Sequence, residues 1–212
     1  MNILLDLDGT LTDPRVGIIG TIQYALGQIG RESPSEEALL RFIGPPLPDC
    51  FAEMLGPSDP ALVQRAVAVY RERYADVGLF ENDPYPGIAE ALRTLRERGA
   101  RLFLATSKPT VLAQRILEHF GLAEHFQRAW GSELDGGRAD KGTLIAHILH
   151  EEHLAKEDTL MVGDRVYDAV GAKANGIVPV GVLWGYGSEE ELIAAECKVL
   201  LRSPSELANL VL

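Results

Sequence analysis

The 212-residue sequence contains little cysteine, and its two cysteines show no pattern of joint action. Cys50 and Cys197 form neither a CxxC pair nor the closely spaced set of a disulfide-bonded secreted domain. No apolar run reaches the ~18 residues that a membrane span requires. The first six residues lack the basic start of a signal peptide. These absences predict a cytoplasmic protein that does not enter the membrane.

Positive charge is also scarce. The sequence has 20 Lys and Arg residues against 31 Asp and Glu, a formal net charge of −11. Nucleic-acid-binding domains usually carry a basic surface, so a nucleic acid polymer is an unexpected partner. With 46% hydrophobic and 24% charged residues, the composition is that of a globular protein and excludes disorder. A small anionic substrate is compatible with this composition if a local positive group receives it.

Two common site motifs are missing. The sequence contains no HExxH zinc motif, and the glycine-rich stretch at 181–187 contains no GxGxxG that opens a helix. His147, His150 and His153 belong to one predicted helix, but the first and third lie about 120° apart around it, which favours a solvated face over a metal site.

From residue 84 onward, helical and strand patterns alternate. Apolar runs predict strands at 102–105, 160–162, 178–183 and 199–201, and a further strand at 3–5. Helical periodicity predicts helices at 88–98, 111–120, 141–153 and 167–175, and Ser203 opens a last helix. Alternating strands and helices predict an α/β fold, with a doubly wound parallel sheet covered by helices on both faces.

The segment from residue 16 to about 74 has a helical pattern with one stiff internal loop and is predicted to be an inserted domain. Residues 33–36 (SPSE) predict a helix start with Ser33 as its cap, and Asp59 with Pro60 predicts a second start. Residues 44–48 contain three prolines and cannot be helical. We therefore expect a core formed by residues 1–13 and 84–212, with a small helical cap at 14–83.

Polar side chains follow three of the predicted strands. Asp6 and Asp8 end the first strand, Thr106 to Lys108 follow the second, and Asp164 ends a later one. Taken singly, Asp8 with Gly9 is a common turn and Asp164 a helix cap. In open parallel sheets, however, ligands bind at the carboxyl ends of strands. Carboxylates gathered there require a cation, and oxygen ligands at a phosphate site favour Mg²⁺.

These residues give the sequence a resemblance to the haloacid dehalogenase superfamily of phosphatases. Residues 6–13 (DLDGTLTD) match its DxDGTLxD signature, and residues 163–168 (GDRVYD) match its GDxxxD motif. Thr106 matches its strand-end Thr or Ser, and Lys141 its lone basic residue. The motifs fall in the family's order along nearly the whole chain. The predicted insertion looks like the helical cap of the phosphoglycolate phosphatase-like subfamily.

The resemblance implies a magnesium-dependent phosphomonoester hydrolase that acts on a small phosphorylated metabolite. Asp6 is then the nucleophile that forms an aspartyl-phosphate, and Asp8 is the general acid and base. Mg²⁺ is held by Asp6, Asp164 and the main-chain carbonyl of Asp8, while Asp168 orients a metal-bound water or Lys141.

The remaining expected site residues bind the substrate. Thr106 and Lys141 assist catalysis at the phosphoryl group, and the loop around Gly9 and Thr10 donates hydrogen bonds to its oxygens. The other expected substrate-binding residues are Ser107 in the core and Arg41 and Gly44 in the cap.

A narrower likeness concerns the substrate. Residues 42–47 (FIGPPL), 81–88 (ENDPYPGI), 106–109 (TSKP) and 163–165 (GDR) look like a bacterial 5′-nucleotidase branch of the subfamily. Ser107 departs from the Asn usual in phosphoglycolate phosphatases, which argues against the glycolate substrate. The alternatives are phosphoglycolate or another small phosphate ester, a phosphotransferase such as a sugar-phosphate mutase, and a catalytically silent phosphate-binding protein. The pair Asp6 and Asp8 argues against the last, because a binder needs no acid and base.

Overall fold

The computed structural model describes residues 1–56, 59–134 and 136–210. The chain divides into two compact units. Met1–Asp13 and Pro84–Leu212 form the first, here called the sheet unit, and Pro14–Asp83 forms the second, here called the helical unit.

The regular elements are numbered along the chain. The strands are β1 (Asn2–Leu5), β2 (Thr12–Asp13), β3 (Asp83–Pro84), β4 (Arg101–Pro109), β5 (Arg128–Ser132), β6 (Thr159–Gly163), β7 (Val178–Val182) and β8 (Val199–Leu201). The α-helices are α1 (Arg15–Gln28), α2 (Glu36–Leu39), α3 (Leu47–Leu55), α4 (Pro60–Arg73), α5 (Ile88–Glu97), α6 (Thr110–His119), α7 (Lys141–Glu151), α8 (Val166–Ala174) and α9 (Glu189–Ala194). None of the helices in the described ranges is long and apolar enough to cross a membrane.

The described residues of the sheet unit form a six-stranded sheet in the order β5-β4-β1-β6-β7-β8. Every neighbouring pair of strands is parallel. The chain runs outward from β1 to β4 and β5, then returns to the other side of β1 and continues to β8. This order confirms the predicted doubly wound α/β fold and places β1 at the point where the direction reverses.

The core lies on both faces of the sheet because successive side chains of a strand point to opposite faces. Leu4, Phe103 and Met161 share a buried cluster with side chains of α7 and α8. Leu5 and Leu102 alternate with them and are also fully buried. Burial on both faces explains why the central strands read as continuous apolar runs.

Three predictions of local structure were wrong. Strand β5 was not predicted, because its sequence RAWGS contains no β-branched residue. The cap of α2 is Ser35, whose hydroxyl accepts from the Ala38 N–H at 3.3 Å, whereas the Ser33 hydroxyl bonds the Pro34 carbonyl. Residues 44–48 were predicted to be non-helical, but the last two of them, Leu47 and Pro48, begin α3, because proline is tolerated in the first turn of a helix. A last helix does follow Ser203 as predicted, in the 3₁₀ form, at Pro204–Asn209.

The helical unit contains a close contact between two stretches of backbone. A Cβ atom at Gly17 in α1 would overlap the carbonyl oxygen of Gly78, which ends a short π-helical turn. The Gly17 N–H also donates to the Glu81 carbonyl at 2.8 Å. The predicted start of α4 is confirmed, since the Asp59 side chain accepts from the Leu62 N–H.

The close contact at Gly17 predicts opposite effects for two alanine substitutions in α1. Gly17→Ala should lower the free energy of unfolding by about 1–3 kcal/mol, because the new methyl group meets backbone that cannot yield easily. Gly20→Ala is the matched control, since nothing lies within 4 Å of a Cβ atom at that position. It should raise stability by about 0.5–1 kcal/mol through helix propensity. Urea unfolding measures both, and equal effects would contradict the packing argument.

Candidate active site

The predicted acidic edge forms at the carboxyl ends of the three central strands. Asp6 follows β1 and extends its pairing, since its N–H donates to the Val162 carbonyl at 3.0 Å. Thr106 lies in the last part of β4, where the pairing with β5 becomes irregular. Asp164 follows β6 directly. The doubly wound topology therefore brings together residues that are more than 150 positions apart in sequence.

A buried lysine joins two of the carboxylates. The Lys141 Nζ atom lies 2.8 Å from Asp6 Oδ1 and 2.7 Å from Asp168 Oδ1, and it donates to the Ala105 carbonyl at 2.6 Å. Burial lowers the pKa of Lys141, but the charges of Asp168 and Asp6 outweigh burial and raise this pKa overall. Lys141 is therefore a fixed ammonium group at the centre of the site.

A second lysine pairs with Asp8. Lys108 Nζ lies 2.8 Å from Asp8 Oδ1, with both side chains largely buried. Burial raises the pKa of Asp8, and the Lys108 charge opposes that rise without cancelling it. Sequence reasoning placed Lys108 at this edge but gave it no role. The available signal in the sequence was its position two residues after Thr106. In the structure, the Lys108 N–H donates to the Thr106 hydroxyl at 3.2 Å.

Asp164 receives hydrogen bonds from uncharged donors. Its Oδ2 atom accepts from the Tyr186 N–H at 2.8 Å, and its Oδ1 atom accepts from the Thr10 hydroxyl at 3.5 Å. Burial, followed by the charges of Asp168 and Asp6, raises the pKa of Asp164 well above its usual range. The ionised form of Asp164 is therefore destabilised, because neither of these hydrogen-bond donors carries a positive charge.

These carboxylates fit a divalent cation. Asp6, Asp164 and Asp168 each offer an oxygen, and these oxygens lie within 4.8 Å of one another. Together with Asp8 they bring four carboxyl groups against two lysines, so the lysines alone do not balance the site when all four are ionised. An all-oxygen donor set suits Mg²⁺. The Asp8 carboxylate is occupied by Lys108, which is compatible with the expectation that only its main-chain carbonyl is a ligand.

Glycine allows the loops to approach this group. Gly9 has φ +82°, and a Cβ atom there would overlap the Asp164 carboxylate. Gly163 is equally restricted, because its Cβ would overlap the Asp168 side chain. Asp168 in turn accepts from the Arg165 N–H at 3.2 Å, and burial raises its pKa to about 6.

The other expected site residues have different surroundings. Ser107 is half-buried beside Thr106 in the last part of β4. Arg41 and Gly44 belong to the helical unit. Arg41 lies 2.6 Å from Glu53, with both side chains more than half exposed, and Gly44 has φ +110° before two prolines. An exposed pair of this kind contributes little stability.

Known proteins resemble the chain along most of its length. A family model described as haloacid dehalogenase-like hydrolase matches residues 3–182. A 5′-nucleotidase from Pseudomonas aeruginosa is 50% identical over 193 residues, which are 91% of this chain and 87% of that protein. Tyrosine-protein kinase PtkA from Mycobacterium tuberculosis is 40% identical over 186 residues, 87% of this chain but 62% of that protein. The crystal structure of a "predicted phosphatase" from Clostridium acetobutylicum superposes with a TM-score of 0.92 at 38% identity, covering 98% of this chain and 96% of that one.

The surroundings of Asp164 predict a pH-dependent effect of Asp164→Asn in metal-free protein. The unfolded carboxyl ionises near its ordinary pKa of 3.8, whereas the folded one holds its proton to higher pH. The wild type therefore loses stability as pH rises through that interval, and the neutral amide does not. The amide oxygen can still accept from the Tyr186 N–H.

We expect the variant to melt above the wild type at about pH 7 in excess chelator, by about 2–4 °C for each kcal/mol of relief. This advantage should shrink as the pH is lowered toward 4. Calorimetric melts across this range measure the difference. A difference that does not change with pH would contradict the argument.

Proposed function

This chain belongs to the haloacid dehalogenase-like hydrolase family and is a phosphatase; from that premise we propose that it hydrolyses nucleoside 5′-monophosphates through an aspartyl-phosphate on Asp6. The observation that carries the proposal is the placement of the Asp6 carboxylate 2.8 Å from the Lys141 ammonium group, at the end of the central strand. A phosphate ester is anionic, and an approaching carboxylate is repelled unless nearby positive charge offsets the repulsion.

Asp6 supplies the nucleophile. Its carboxylate attacks the phosphorus atom, and the bond from phosphorus to the ester oxygen breaks. Lys141 orients Asp6 at 2.8 Å, while Asp168 fixes Lys141 from the other side at 2.7 Å. The Thr106 hydroxyl is the group proposed to donate to a phosphoryl oxygen. The N–H groups of Gly9 and Thr10 were expected to do the same, but they donate to the Thr12 and Leu7 carbonyls at 2.8 and 3.2 Å and so fix the shape of the loop instead.

Asp8 supplies the proton. It protonates the departing ester oxygen and later removes a proton from the water that hydrolyses the aspartyl-phosphate. The site stabilises both protonation states of Asp8, because burial favours the neutral form and the Lys108 charge favours the anion. An acid and base beside the nucleophile is needed by a phosphatase, whose leaving alkoxide must be protonated.

Asp6, Asp164 and the main-chain carbonyl of Asp8 would hold Mg²⁺, with Asp168 beside them. The ion would neutralise charge on the phosphoryl group as the nucleophile approaches. The burial of these carboxylates and their mutual repulsion support this assignment.

The nucleoside part of the substrate rests on two observations. The relative named 5′-nucleotidase shares half of its aligned residues with this chain. The helical unit contains the FIGPPL segment, which lies against the Cys50 thiol. The sulfur atom is 3.8 Å from the Phe42 carbonyl oxygen and 3.7 Å from the Pro45 carbonyl oxygen, and its one proton is donated to one of them at a time. We propose that this unit acts as a cap, and that Arg41 and Gly44 contact the part of the substrate beyond the phosphate.

The nucleophile assignment predicts the outcome of Asp6→Asn. The carboxamide is nearly isosteric but a poor nucleophile, so this variant should lose at least ~90% of turnover while melting cooperatively like the wild type. Phosphate release from a chromogenic ester measures turnover. A folded variant that keeps more than about a tenth of the rate would move the nucleophile to another residue.

The substrate assignment predicts a ranking in which nucleoside 5′-monophosphates exceed phosphoglycolate and sugar phosphates in kcat/KM.

Replacing both Pro45 and Pro46 with Gly should lower kcat/KM for the best nucleotide by about 10-fold to 100-fold, because the loop loses its fixed backbone. The rate on a small chromogenic ester serves as the control and should fall much less.

Inorganic phosphate and free nucleoside should be released in equal amounts. A deficit of phosphate would instead indicate transfer to another hydroxyl, as in a phosphotransferase. A panel led by phosphoglycolate would overturn the nucleotide assignment, and equal losses on both kinds of ester would overturn the role given to the loop.

A further inference from the structure

The loop formed by residues 184–187, here called the 184–187 loop, comes after β7. It lies against the acidic group, the cluster formed by Asp6, Asp8, Asp164 and Asp168. The mechanism above uses none of its side chains, and the sequence analysis considered its glycines only as a nucleotide motif. We infer that this loop is a positioning element for Asp164, which sets the orientation of that carboxylate for the cation. The inference rests on the proposed magnesium site.

The loop contacts Asp164 through its backbone. The Tyr186 N–H donates to Asp164 Oδ2 at 2.8 Å. On either side of Tyr186, a glycine permits this approach. A Cβ atom at Gly185 would overlap the Asp164 side chain and the Gly9 carbonyl, and one at Gly187 would overlap the Asp164 carbonyl. The contact therefore depends on the absence of side chains at both positions.

Two side chains of the loop anchor it to the segment that follows the nucleophile. The Trp184 indole N–H donates to the Thr10 carbonyl at 3.0 Å, and the Thr10 hydroxyl donates to the other Asp164 oxygen. The Tyr186 hydroxyl donates to the Asp13 carboxylate. Trp184 also packs edge-on against Tyr85, with ring centroids 6.5 Å apart. Both oxygens of Asp164 are thus held by groups whose positions depend on these anchors.

The chain that follows the loop holds the two residues after Asp164. Glu191 in α9 accepts from the Val166 N–H at 2.8 Å and from Arg165 Nε at 3.1 Å. The segment from Tyr186 to Glu191 therefore contacts Asp164 itself through the Tyr186 N–H and the two residues after it through the Glu191 carboxylate. Groups that hydrogen-bond a metal ligand determine its orientation, and their loss typically costs 10–100-fold in metal affinity.

The two tryptophans of the chain provide a matched experiment. Trp184→Phe removes the indole N–H and keeps an aromatic ring beside Tyr85. Trp130→Phe removes the same group at a site where it donates to Glu152 at 3.1 Å, outside the acidic group. Tyr186→Phe removes the bond to Asp13 but leaves the backbone N–H. The double variant Trp184→Phe/Tyr186→Phe releases both anchors.

Isothermal titration calorimetry with Mg²⁺ alone measures the effect without reference to turnover. We expect the double variant to bind Mg²⁺ about 10-fold to 100-fold more weakly than the wild type, and Trp130→Phe to bind it like the wild type. In a turnover assay, the Mg²⁺ concentration for half-maximal rate should rise by the same factor, and saturating Mg²⁺ should restore most of kcat. A purely structural role would lower the melting temperature without changing the Mg²⁺ dissociation constant.

A double variant that binds Mg²⁺ within about twofold of Trp130→Phe would overturn the inference. If the double variant fails to fold, Trp184→Phe decides the question, since equal affinity in the two single tryptophan variants would also overturn it. The wild type separates this result from the proposed function. A wild type that binds Mg²⁺ but hydrolyses no phosphate ester would contradict the proposed function, while the comparison of affinities would still test the loop.

Discussion

The ammonium group of Lys141 is the interaction on which the geometry of the site depends. It is buried, and it touches Asp6 from β1, Asp168 from α8 and the Ala105 carbonyl from β4. A buried ammonium is costly unless carboxylates surround it, and the buried carboxylates are costly without it. Removing the ammonium group would leave two carboxylates together without a neutralising charge, whereas removing one carboxylate leaves the other to pair with Lys141. A single atom therefore links the carboxyl ends of the paired strands β1 and β4 to helix α8.

This contact requires the helices α7 and α8 to pack closely. A Cβ atom at Gly171 in α8 would overlap the Lys141 side chain at the start of α7. Asn175 joins the two helices at the same level, since its amide donates to the carbonyls of Gly142 and Gly171 at 2.8 and 2.9 Å. The small residue and the amide bridge bring the Lys141 and Asp168 side chains within ion-pair distance. Helix packing and site chemistry thus depend on the same few residues.

The fold class and the acidic group were predictable because each depends on a regular rule. Apolar runs such as 160–162 identify buried strands, and parallel strands present their carboxyl ends at one edge, so Asp6 and Asp164 could be expected together. Lys108 and the 184–187 loop could not be assigned in this way. Their contacts depend on how loops close over the edge, and no periodicity encodes loop closure. Strand β5 was missed because it has no β-branched residue. Its Gly131 is required by a close approach to the Lys108 carbonyl, which only the folded chain shows.

The pairing of Asp8 with Lys108 bears on how one carboxyl can serve both halves of the proposed reaction. As an acid, Asp8 must carry a proton when the ester oxygen departs, and its burial makes the neutral form accessible by raising its pKa. Once the proton has been given up, the new carboxylate is a buried anion. Lys108, 2.8 Å away, stabilises that anion until it takes a proton from the attacking water. Burial and the Lys108 charge act on Asp8 in opposite directions, so this carboxyl can alternate between its neutral and ionised forms. A carboxyl buried in the same place without Lys108 would be stabilised only in its neutral form.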